Sequence, residues 1–466
     1  MPIFINNSLS KAKEKFVPLK NPKVNIYTCG VTVYDACHIG HARSLFIFDL
    51  MRRYFVFCKF KVKFVRNITD IDDKIINRAN ELKINWQDLV AKYIAGYYED
   101  LENLGIKKAD FEPRATENIP EMVNYIKVLI DKGFAYEAGG DVYFDVRKFK
   151  NYGKLSGQSI NEMRAGVRIE SAESKRDPLD FALWKRSKAH EPFWQSPWGK
   201  GRPGWHIECS VMSQKYLHTQ TLDIHAGGRD LIFPHHENEL AQSEAYSGKT
   251  FAKYWLHHGL LTINSQKMSK SLGNFITIKD FIAKYHNPDL LKFFFLSAHY
   301  AHPIDYSEAK IEEARQALQR IVIFLKKAQS SKRGLFSRIF NLLPSKIILL
   351  KQKFFASLDD DFNTPEALAA VFELVNLANK NIAQENFVAC ARDTLKVMFE
   401  ILGIELKPLQ DEPGIGEIDI KAKIDERAAA KLAKNYALAD KIRKDLEAQG
   451  VILEDTKAGV SWRRKL

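Results

Sequence analysis

Residues 23–49, KVNIYTCGVTVYDACHIGHARSLFIFD, decide the fold because they combine a strand pattern, a loop and the start of a helix. The β-prone run 23–30 ends in a cysteine and a glycine, and apolar residues with helical spacing follow from residue 41. A second strand is predicted at 59–70, where basic and apolar residues alternate. Strand, helix and strand form a βαβ unit, which implies a parallel sheet with a right-handed crossover. The stretch 221–246 repeats the strand–loop–helix pattern, so we predict an α/β fold built on a parallel sheet.

The length of 466 residues predicts about two to four domains. Two βα-containing segments are separated by an insertion, and a long helical region is followed by a small C-terminal domain that ends in a helix and a short apolar run. The predicted regions are the α/β core at 1–115 and 201–260, the insertion at 116–200, a following region at 261–310, a helical bundle at 311–405 and a C-terminal domain at 406–466.

The net charge of +13 favours an anionic partner, with nucleic acid as the first candidate. Between Arg315 and Lys353 there are ten basic residues and no acidic residue, and the apolar residues there have helical spacing. Such helices carry a basic face that suits a phosphate backbone, although a merely soluble, basic protein is the alternative. The five cysteines lack the regular spacing of a disulfide framework, which fits a reducing cytoplasm. Residues 1–16 lack the apolar core of a signal peptide, and no apolar run is long enough to span a bilayer.

Two histidines, His38 and His41, flank Gly40 at the predicted junction between the first strand's loop and its helix. Ligands of open parallel sheets bind at the carboxyl ends of strands, where helix N-termini offer free N–H groups to phosphate. Two imidazoles add further donors, and Gly40 allows close approach of a nucleotide to the backbone. The alternative is a pair of hydrogen-bonded structural histidines.

A second stretch, NSQKMSKSLGN at 264–274, combines Lys267, Ser269, Lys270 and Ser271 in a short segment that ends near a glycine. This pattern suits a mobile loop that closes over phosphates, with the lysines as point charges. A basic surface loop without a ligand is the alternative for this stretch taken alone.

Together the two stretches resemble the HIGH and KMSKS motifs of the class I aminoacyl-tRNA synthetases, which bind ATP and activate an amino acid. The resemblance implies a Rossmann-type catalytic core in which His38, Gly40, His41 and Ser269 bind ATP. It also implies that Lys267 and Lys270 stabilise the transition state and the leaving pyrophosphate. The AGGRD stretch at 226–230 matches the nucleotide-binding loop of these enzymes, with Gly228 and Asp230 at the adenosine. For Asp230, a helix cap is the alternative.

Cys29, Cys209, His235 and Glu239 are the candidate metal ligands, because two thiolates, an imidazole and a carboxylate suit Zn²⁺. His235 and Glu239 are four residues apart and would share one face of a helix. The four residues are otherwise scattered, so a buried Cys29 and a solvated HHENE helix face remain the alternatives.

Five stretches resemble the cysteinyl-tRNA synthetases along nearly the whole chain: YTCGVTVYDACHIGH, NITDIDDKII, RPGWHIECS, FPHHENE and KMSKSLGN. In that family, residues matching the same four side chains hold one zinc ion at the base of the amino-acid pocket. Zinc binds a substrate thiol as thiolate and discriminates against serine and alanine without an editing site.

Thr69 and Trp205 are predicted to contact the substrate, with a cap or turn role for Thr69 and core packing for Trp205 as the alternatives. His206 and His225 lie near the same elements and are interpreted as hydrogen-bonded structural residues, with tuning of the site as the alternative. Mg²⁺ is expected to accompany ATP, and Asp70, Asp72 and Asp73 are interpreted as a solvated loop rather than as its ligands.

The resemblance implies a monomeric, cytoplasmic ligase that joins cysteine to its tRNA, without a membrane partner. It assigns 116–200 as the connective insertion, 261–310 as the KMSKS loop and stem-contact region, 311–405 as a tRNA-binding bundle and 406–466 as an anticodon-binding domain. Two rivals remain: a cysteine ligase with an amino-sugar acceptor, and a non-enzymatic RNA- or zinc-binding relative. The intact motifs argue against the second rival, and the basic C-terminal regions argue against the first.

Overall fold

The computed structural model describes residues 2–160, 175–335, 342–406, 417–433, 435–448, 451–456 and 459–464. Parts of the predicted insertion, of the basic stretch and of the C-terminal domain therefore lie outside the described residues. The chain divides into two compact units, Met1–Leu406 and Lys407–Leu466. Across the described ranges, no helix combines the length and apolar character needed to cross a bilayer.

Strands and helices are numbered here in chain order over the described residues. The strands of the first unit are β1 Phe4–Asn7, β2 Ala12–Lys15, β3 Lys23–Thr28, β4 Lys61–Arg66, β5 Ala135–Ala138, β6 Asp141–Phe144, β7 Phe181–Arg186, β8 Gly201–Pro203, β9 Leu222–Gly228, β10 Ala252–His258, β11 Leu261–Ile263, β12 Gln266–Lys267 and β13 Ile304–Tyr306. Its α-helices are α1 Ile39–Phe57, α2 Asp73–Leu82, α3 Trp86–Asn103, α4 Ile119–Asp131, α5 Trp205–Leu217, α6 Glu237–Ser247, α7 Ile278–Tyr285, α8 Pro288–Leu296, α9 Glu308–Lys327, α10 Ser345–Asp359, α11 Thr364–Lys380 and α12 Glu385–Leu402.

The core is a four-stranded parallel sheet with the strand order β10–β9–β3–β4. Helix α1 is the crossover between β3 and β4, as the sequence predicts for residues 23–66. Every residue of β9 is buried, which is typical of a parallel strand covered on both faces. The predicted α/β core with a parallel sheet is confirmed.

Helix α1 is buried on most of its circumference because it contacts the sheet at β4 and also helices α8 and α12. Its apolar residues, including Phe46, Phe48 and Phe55, are therefore shared between the sheet and the later helices. The helix that follows the first strand is thus fixed from several sides, which fixes its N-terminus as well.

An antiparallel sheet in the order β5–β6–β7–β8 lies between the two halves of the core sequence. Its last strand, β8, leads directly into α5. A third sheet, in the order β12–β11–β13, follows β10 and carries the segment with the two lysines. Helices α9 to α12 form the helical region after residue 307.

The second unit, Lys407–Leu466, contains α13 Glu417–Leu432, α14 Tyr436–Ala448 and the antiparallel hairpin of β14 Val451–Thr456 and β15 Gly459–Arg464. Its small core is formed by five buried apolar residues: Ile420, Ile442, Leu446, Val451 and Leu453. Trp462 packs against this core.

Candidate active site

The N-terminus of α1 is closed by two histidines that cap each other's backbone. The Nδ1 atom of His38 accepts hydrogen bonds from the backbone N–H groups of Gly40 at 3.1 Å and His41 at 3.3 Å. In return, the Nδ1 atom of His41 accepts from the backbone N–H of His38 at 3.2 Å. The two rings stack with centroids 3.7 Å apart. A Cβ atom on Gly40 would lie 2.9 Å from the His38 ring, so only glycine fits there without displacing it.

Burial favours the neutral form of both imidazole rings. Burial lowers the pKa of His38 to about 4, against a weaker opposing effect of Asp35. Burial also holds the pKa of His41 well below its usual value, and His38 adds to the effect. Since each Nδ1 accepts a hydrogen bond, the neutral rings carry their protons on Nε2. Each histidine therefore offers one N–H donor that its own capping role does not use.

The segment 264–274 lies against this helix start. The side chain of Met268 approaches Gly40, and the ring of Phe275 meets that of His38 edge to face at 5.3 Å. The backbone N–H of Ile39 donates to the carbonyl of Ile276 at 3.1 Å. The two predicted phosphate-binding stretches, which are far apart in sequence, are thus neighbours.

The two lysines of this segment are both exposed but differ in their contacts. Lys270 forms an ion pair with Asp35, which precedes the helix, and its ammonium group lies 5.1 Å from the centroid of Phe275. Lys267 ends β12, and its carbonyl accepts a hydrogen bond from the side chain of Asn274 at 3.2 Å. Asn274 also accepts from the backbone N–H of Ser269 at 2.8 Å, which closes the loop on itself.

The predicted adenosine loop follows the carboxyl end of β9. A Cβ atom on Gly228 would lie 2.5 Å from the Asp230 carboxylate, and one on Gly227 would lie 2.7 Å from the His236 ring. Gly227 therefore allows a close approach to the buried His236 ring, whereas the Asp230 side chain, which is exposed, could move aside for a larger residue at 228. Asp230 is exposed within the short 3-10 turn Arg229–Leu231 and makes no capping hydrogen bond there.

The four predicted metal ligands converge at the carboxyl ends of β3 and β9. Cys29 follows β3, Cys209 lies in α5, His235 lies in the kinked segment Ile232–His236, and Glu239 lies in α6. The Cys29 sulfur is 3.8 Å from the Cys209 sulfur and 3.4 Å from Glu239 Oε1. His235 Nε2 is 3.6 Å from the Cys209 sulfur and 2.8 Å from Glu239 Oε1. All four donor atoms lie within 4.8 Å of one another.

Burial and mutual contacts shift the pKa values of all four residues of this cluster. Burial opposes both charges of the pair between His235 and Glu239, yet each partner stabilises the other. His225 and, less strongly, His235 hold the pKa of Glu239 well below its usual value, and Glu239 and Cys209 raise the pKa of His235 to about 10. Burial raises the pKa of Cys29 well above its usual value. Burial acts in the same direction on Cys209, but hydrogen bonds from Cys29 and His235 bring the pKa of its thiol down to about 6.

The donor set fits zinc, and so does the spacing of its sulfurs, whereas His235 Nε2 and Glu239 Oε1 lie 2.8 Å apart, closer than the roughly 3.3 Å between two such ligands of a tetrahedral ion. Two sulfur atoms that are each about 2.3 Å from a tetrahedral zinc ion would be about 3.8 Å apart. The observed separation of the Cys29 and Cys209 sulfurs is 3.8 Å. Glu239 is oriented by His225, whose Nε2 lies 2.8 Å from Glu239 Oε2, and His235 is oriented by His206, with Nδ1 atoms 2.9 Å apart. Such outer contacts are typical of metal-binding histidines and carboxylates.

A second possible ligand set, which the sequence did not predict, shares Cys29 and Glu239 with the first but uses His225 and His236. His236 Nε2 lies 3.2 Å from the Cys29 sulfur, and its Nδ1 lies 2.8 Å from His257 Nε2. The only sequence signal for His236 is its position beside His235 in PHHENE.

Of the two predicted substrate residues, Trp205 contacts the cluster directly, and Thr69 is linked to it through Asn67, whose Oδ1 lies 3.7 Å from the Cys209 sulfur. Trp205 is 38% exposed and stacks on His235 with ring centroids 4.1 Å apart. Thr69 is buried, and its hydroxyl donates to Glu208 Oε2 at 2.8 Å while accepting from Asn67 at 3.2 Å. Burial raises the pKa of Glu208 well above its usual value. Neither Asn67 nor Glu208 was singled out from the sequence.

The interpretation of Asp70, Asp72 and Asp73 as a solvated loop is wrong. Asp70 is buried and accepts hydrogen bonds from the backbone and side chain of Thr116. Asp72 caps α2, while Asp73 pairs with Lys185 and Arg202. Asp70, through Thr116, and Asp73, through Lys185, therefore connect the core to the insertion.

Comparison with known proteins agrees with this architecture. A family model described as "tRNA synthetases class I (C) catalytic domain" matches residues 15–316, and one described as "DALR domain" matches residues 353–407. The methionyl-tRNA synthetase of Mycobacterium tuberculosis, solved with methionyl-adenylate, has a TM-score of 0.60 at 16% identity, over 82% of this chain and 89% of that chain. A ternary complex of LeuRS, tRNA and LeuAMS from Agrobacterium radiobacter has a TM-score of 0.62 at 11% identity, over 84% and 85%. These two likenesses show a shared fold.

Closer relatives match over the full length. The cysteine–tRNA ligase of Anoxybacillus flavithermus is 48% identical over 100% of both chains. That of Persephonella marina is 47% identical over 100% of both chains, and that of a Geobacillus species is 50% identical over 99% of both. With this identity along its length and a class I catalytic-domain match over more than half of it, the chain belongs to the cysteine–tRNA ligase family of class I tRNA synthetases.

Proposed function

We propose that this protein activates cysteine with ATP and transfers it to the 3′-terminal ribose of its tRNA. The observation that carries the proposal is the presence of three groups on the elements that follow β3 and β9. These groups are the capped histidine pair, the lysine segment against it, and the cluster of thiols, imidazole and carboxylate. A nucleotide-binding edge beside a thiol-selective cluster is what cysteinyl-adenylate formation requires.

In the first step, a carboxylate oxygen of cysteine attacks the α-phosphorus of ATP, and the bond to pyrophosphate breaks with its electron pair. No protein nucleophile is needed, because the chemistry depends on positioning and electrostatic stabilisation. The Nε2–H groups of His38 and His41 donate to phosphate oxygens. Lys267 and Lys270 balance the charge that develops on the leaving pyrophosphate. Lys270 must exchange Asp35 for phosphate in order to do so.

Cys29, Cys209, His235 and Glu239 are the residues that would hold one zinc ion per chain. The ion supplies a soft Lewis acid that takes a thiolate in preference to a hydroxyl. Trp205, stacked on His235, covers one side of this pocket, and Thr69 closes another through Glu208. Mg²⁺ accompanies ATP in this proposal, and no side chain is assigned to it.

In the second step, a hydroxyl of the tRNA terminal ribose attacks the cysteinyl carbonyl, and AMP leaves. The basic stretch 315–353 and the unit Lys407–Leu466 are the regions proposed to bind tRNA, the second at the anticodon. We assign the other predicted regions the following roles: 1–115 and 201–260 form the catalytic core, 116–200 is the insertion, 261–310 contacts the tRNA stem, and 311–405 is the tRNA-binding bundle. We also propose that the protein acts as a monomer in the cytoplasm.

The amino-sugar acceptor is not favoured, because relatives named cysteine–tRNA ligase match 100% of this chain and of their own length. A retired, non-enzymatic scaffold is not favoured either, since both motif histidines and both motif lysines are present.

The test is ATP–pyrophosphate exchange with cysteine, serine and alanine, together with metal analysis and tRNA charging on the same preparation. We expect exchange with cysteine alone, about one zinc per chain, and charging of the cysteine tRNA. Cys209→Ser should lose zinc and raise the KM for cysteine. Cys390→Ser is the matched control, since Cys390 is a buried cysteine of α12 outside the cluster. Exchange with serine, or equal effects of both substitutions, would contradict the proposal.

A further inference from the structure

Arg43 makes contacts that neither the motifs nor the proposed chemistry explain. It lies in α1, two residues beyond His41, and its side chain is completely buried. A buried arginine is rare unless its hydrogen-bonding groups are satisfied. Here both Nη atoms bind two other segments of the chain, while the buried Nε has no hydrogen-bond partner among the described residues.

The guanidinium binds four backbone carbonyls in two pairs. Its Nη1 donates to Gly259 at 2.7 Å and to Leu260 at 2.9 Å. Its Nη2 donates to Tyr300 at 3.2 Å and to His302 at 2.6 Å. The planar, forked group thus holds two chain segments with four hydrogen bonds from two nitrogen atoms, whereas a lysine ammonium has only three N–H donors on a single atom.

Both segments enter the small sheet that carries the lysine loop. Gly259 and Leu260 lead into β11, whose hairpin partner β12 ends at Lys267. Residues 300–302 lead into β13, which pairs with β11 in parallel. The Gly259 N–H donates to the Tyr300 carbonyl at 2.9 Å, so the two segments also touch each other directly.

Gly259 is required for this close approach. A Cβ atom at this position would lie 2.2 Å from the backbone of His302. The junction of Arg43, Gly259 and His302 is therefore tightly packed and has little freedom to shift without losing hydrogen bonds.

From this geometry we infer that Arg43 is a positioning residue, which fixes the strand pair bearing Lys267 relative to the His38–His41 pair. Helix α1 has the two histidines at its start, and Arg43 follows His41 by two residues, just over half a helical turn. Arg43 touches neither substrate nor cluster, so its effect passes through Lys267 and Lys270. The inference rests on the proposed function, because it assigns Arg43 to the same activation step.

The test compares Arg43→Lys with the unaltered protein. Arg43→Lys should lower kcat for cysteine-dependent pyrophosphate exchange about 10- to 100-fold, because small displacements of catalytic groups have effects of that size. The KM for cysteine and the zinc content should stay within about twofold of the unaltered protein, since the cysteine pocket is built from other elements. Gly259→Ala leaves Arg43 intact, pushes the segments apart and should give the same pattern.

Arg392→Lys is the matched control. Arg392 in α12 also holds three backbone carbonyls, those of Ala328, Gln329 and Ser331, at 3.0, 3.2 and 2.9 Å. These three residues follow α9, and none of them belongs to the proposed site of cysteine activation. Arg392→Lys should lower thermal stability but leave kcat for exchange within about twofold, because it disturbs no catalytic group.

Two further measurements separate positioning from general destabilisation. On a Lys267→Ala background, Arg43→Lys should add little further loss, because effects that pass through one residue are not additive. Amide hydrogen exchange at 261–267 should also accelerate in Arg43→Lys. Full additivity, parallel loss of cysteine binding, or unchanged amide protection would overturn the inference. An unaltered protein without cysteine-dependent exchange would instead refute the proposed function, while the amide measurement still decides whether Arg43 holds the segment.

Discussion

His38 combines two roles at one position, since its Nδ1 caps α1 and its Nε2–H is available to a phosphate. Asparagine is a strong N-cap residue, but its shorter side chain has no N–H donor at the position of the His38 Nε2–H group. His38→Asn should therefore keep thermal stability close to that of the unaltered protein while lowering kcat for exchange by about 100-fold or more. His38→Ala should show the same kinetic loss and also lose about 1 kcal/mol of stability.

Thermal unfolding and pyrophosphate exchange on both variants check this separation. Equal stability losses in His38→Asn and His38→Ala would show that the imidazole is needed for the fold as well. Full activity in His38→Asn would show that only the cap matters.

His235 and His236 distinguish the two possible ligand sets at the cluster. We expect His235→Ala to lose zinc at equilibrium dialysis, because the proposed set contains His235 together with both thiols. His236→Ala should retain about one zinc per chain but bind it about 10- to 100-fold more weakly, as outer contacts to metal sites do. Complete zinc loss in His236→Ala alone would move the metal to the second set.

The sequence predicted four of the clustered residues but not His236, and the reason is local geometry. Adjacent residues of a regular helix point about 100° apart, so a pattern argument directs only one of two neighbouring histidines at a site. Here the segment Ile232–His236 is kinked, because Phe233 has an extended backbone conformation. This kinked segment brings both histidines to the cluster. Asn67 and Glu208 were missed because contacts between distant segments leave no mark in residue spacing.

At the scale of elements, the lysine segment is held to the helix start by the ion pair between Lys270 and Asp35. The pair must open before Lys270 can bind phosphate. Exposed ion pairs contribute about 0.2–1 kcal/mol, so Asp35→Asn should lower the KM for ATP by about 1.5- to 5-fold. Steady-state exchange kinetics at varied ATP check this. Glu99→Gln, which breaks the exposed pair with Lys279, is the control and should leave the KM unchanged. A raised KM in Asp35→Asn would show that Asp35 supports ATP binding.

Helix α3 contains a buried carboxylate, Asp100, that predicts how stability depends on pH. Burial raises the pKa of Asp100 to about 7, and Glu99 adds to this while Lys279 opposes it. An unfolded aspartate titrates near pH 4, so between about pH 4 and 7 the folded protein binds the proton more tightly. Its contribution to stability is therefore present at the low end of this window and is lost as the pH rises through it.

Asp100→Asn removes this titration. The variant should exceed the unaltered protein in stability by about 1–2 kcal/mol at pH 8, and the difference should vanish near pH 4. Thermal unfolding of both proteins across this range measures the effect. A constant difference at all pH values would show that packing, and not the charge on Asp100, is responsible.

The elements themselves were predictable where one periodicity dominates. Strands β3 and β4 and helix α1 follow from residues 23–66 because β-prone runs and helical spacing alternate there without ambiguity. The connection through Asp70 and Asp73 was not predictable. An acidic run in sequence resembles a solvated loop, and only the fold brings Thr116, Lys185 and Arg202 against it.

At the scale of the whole molecule, the unit Lys407–Leu466 has its own small core and contains none of the candidate site residues. The full-length match to cysteine–tRNA ligases includes this unit. Its proposed role is therefore to bind tRNA, and the activation chemistry resides in Met1–Leu406.

Deleting 407–466 separates these roles. Pyrophosphate exchange with cysteine should keep its kcat and KM within about twofold, since every residue proposed to contact cysteine or ATP is retained. The kcat/KM for tRNA charging should decrease by about 100-fold, mostly through the KM for tRNA, because lost phosphate and base contacts weaken binding rather than chemistry. Charging measured at two salt concentrations adds a second readout, since fewer phosphate contacts make tRNA binding less sensitive to salt. A parallel loss of exchange and charging would show that the second unit supports the catalytic unit itself, and unchanged charging would place tRNA recognition within Met1–Leu406.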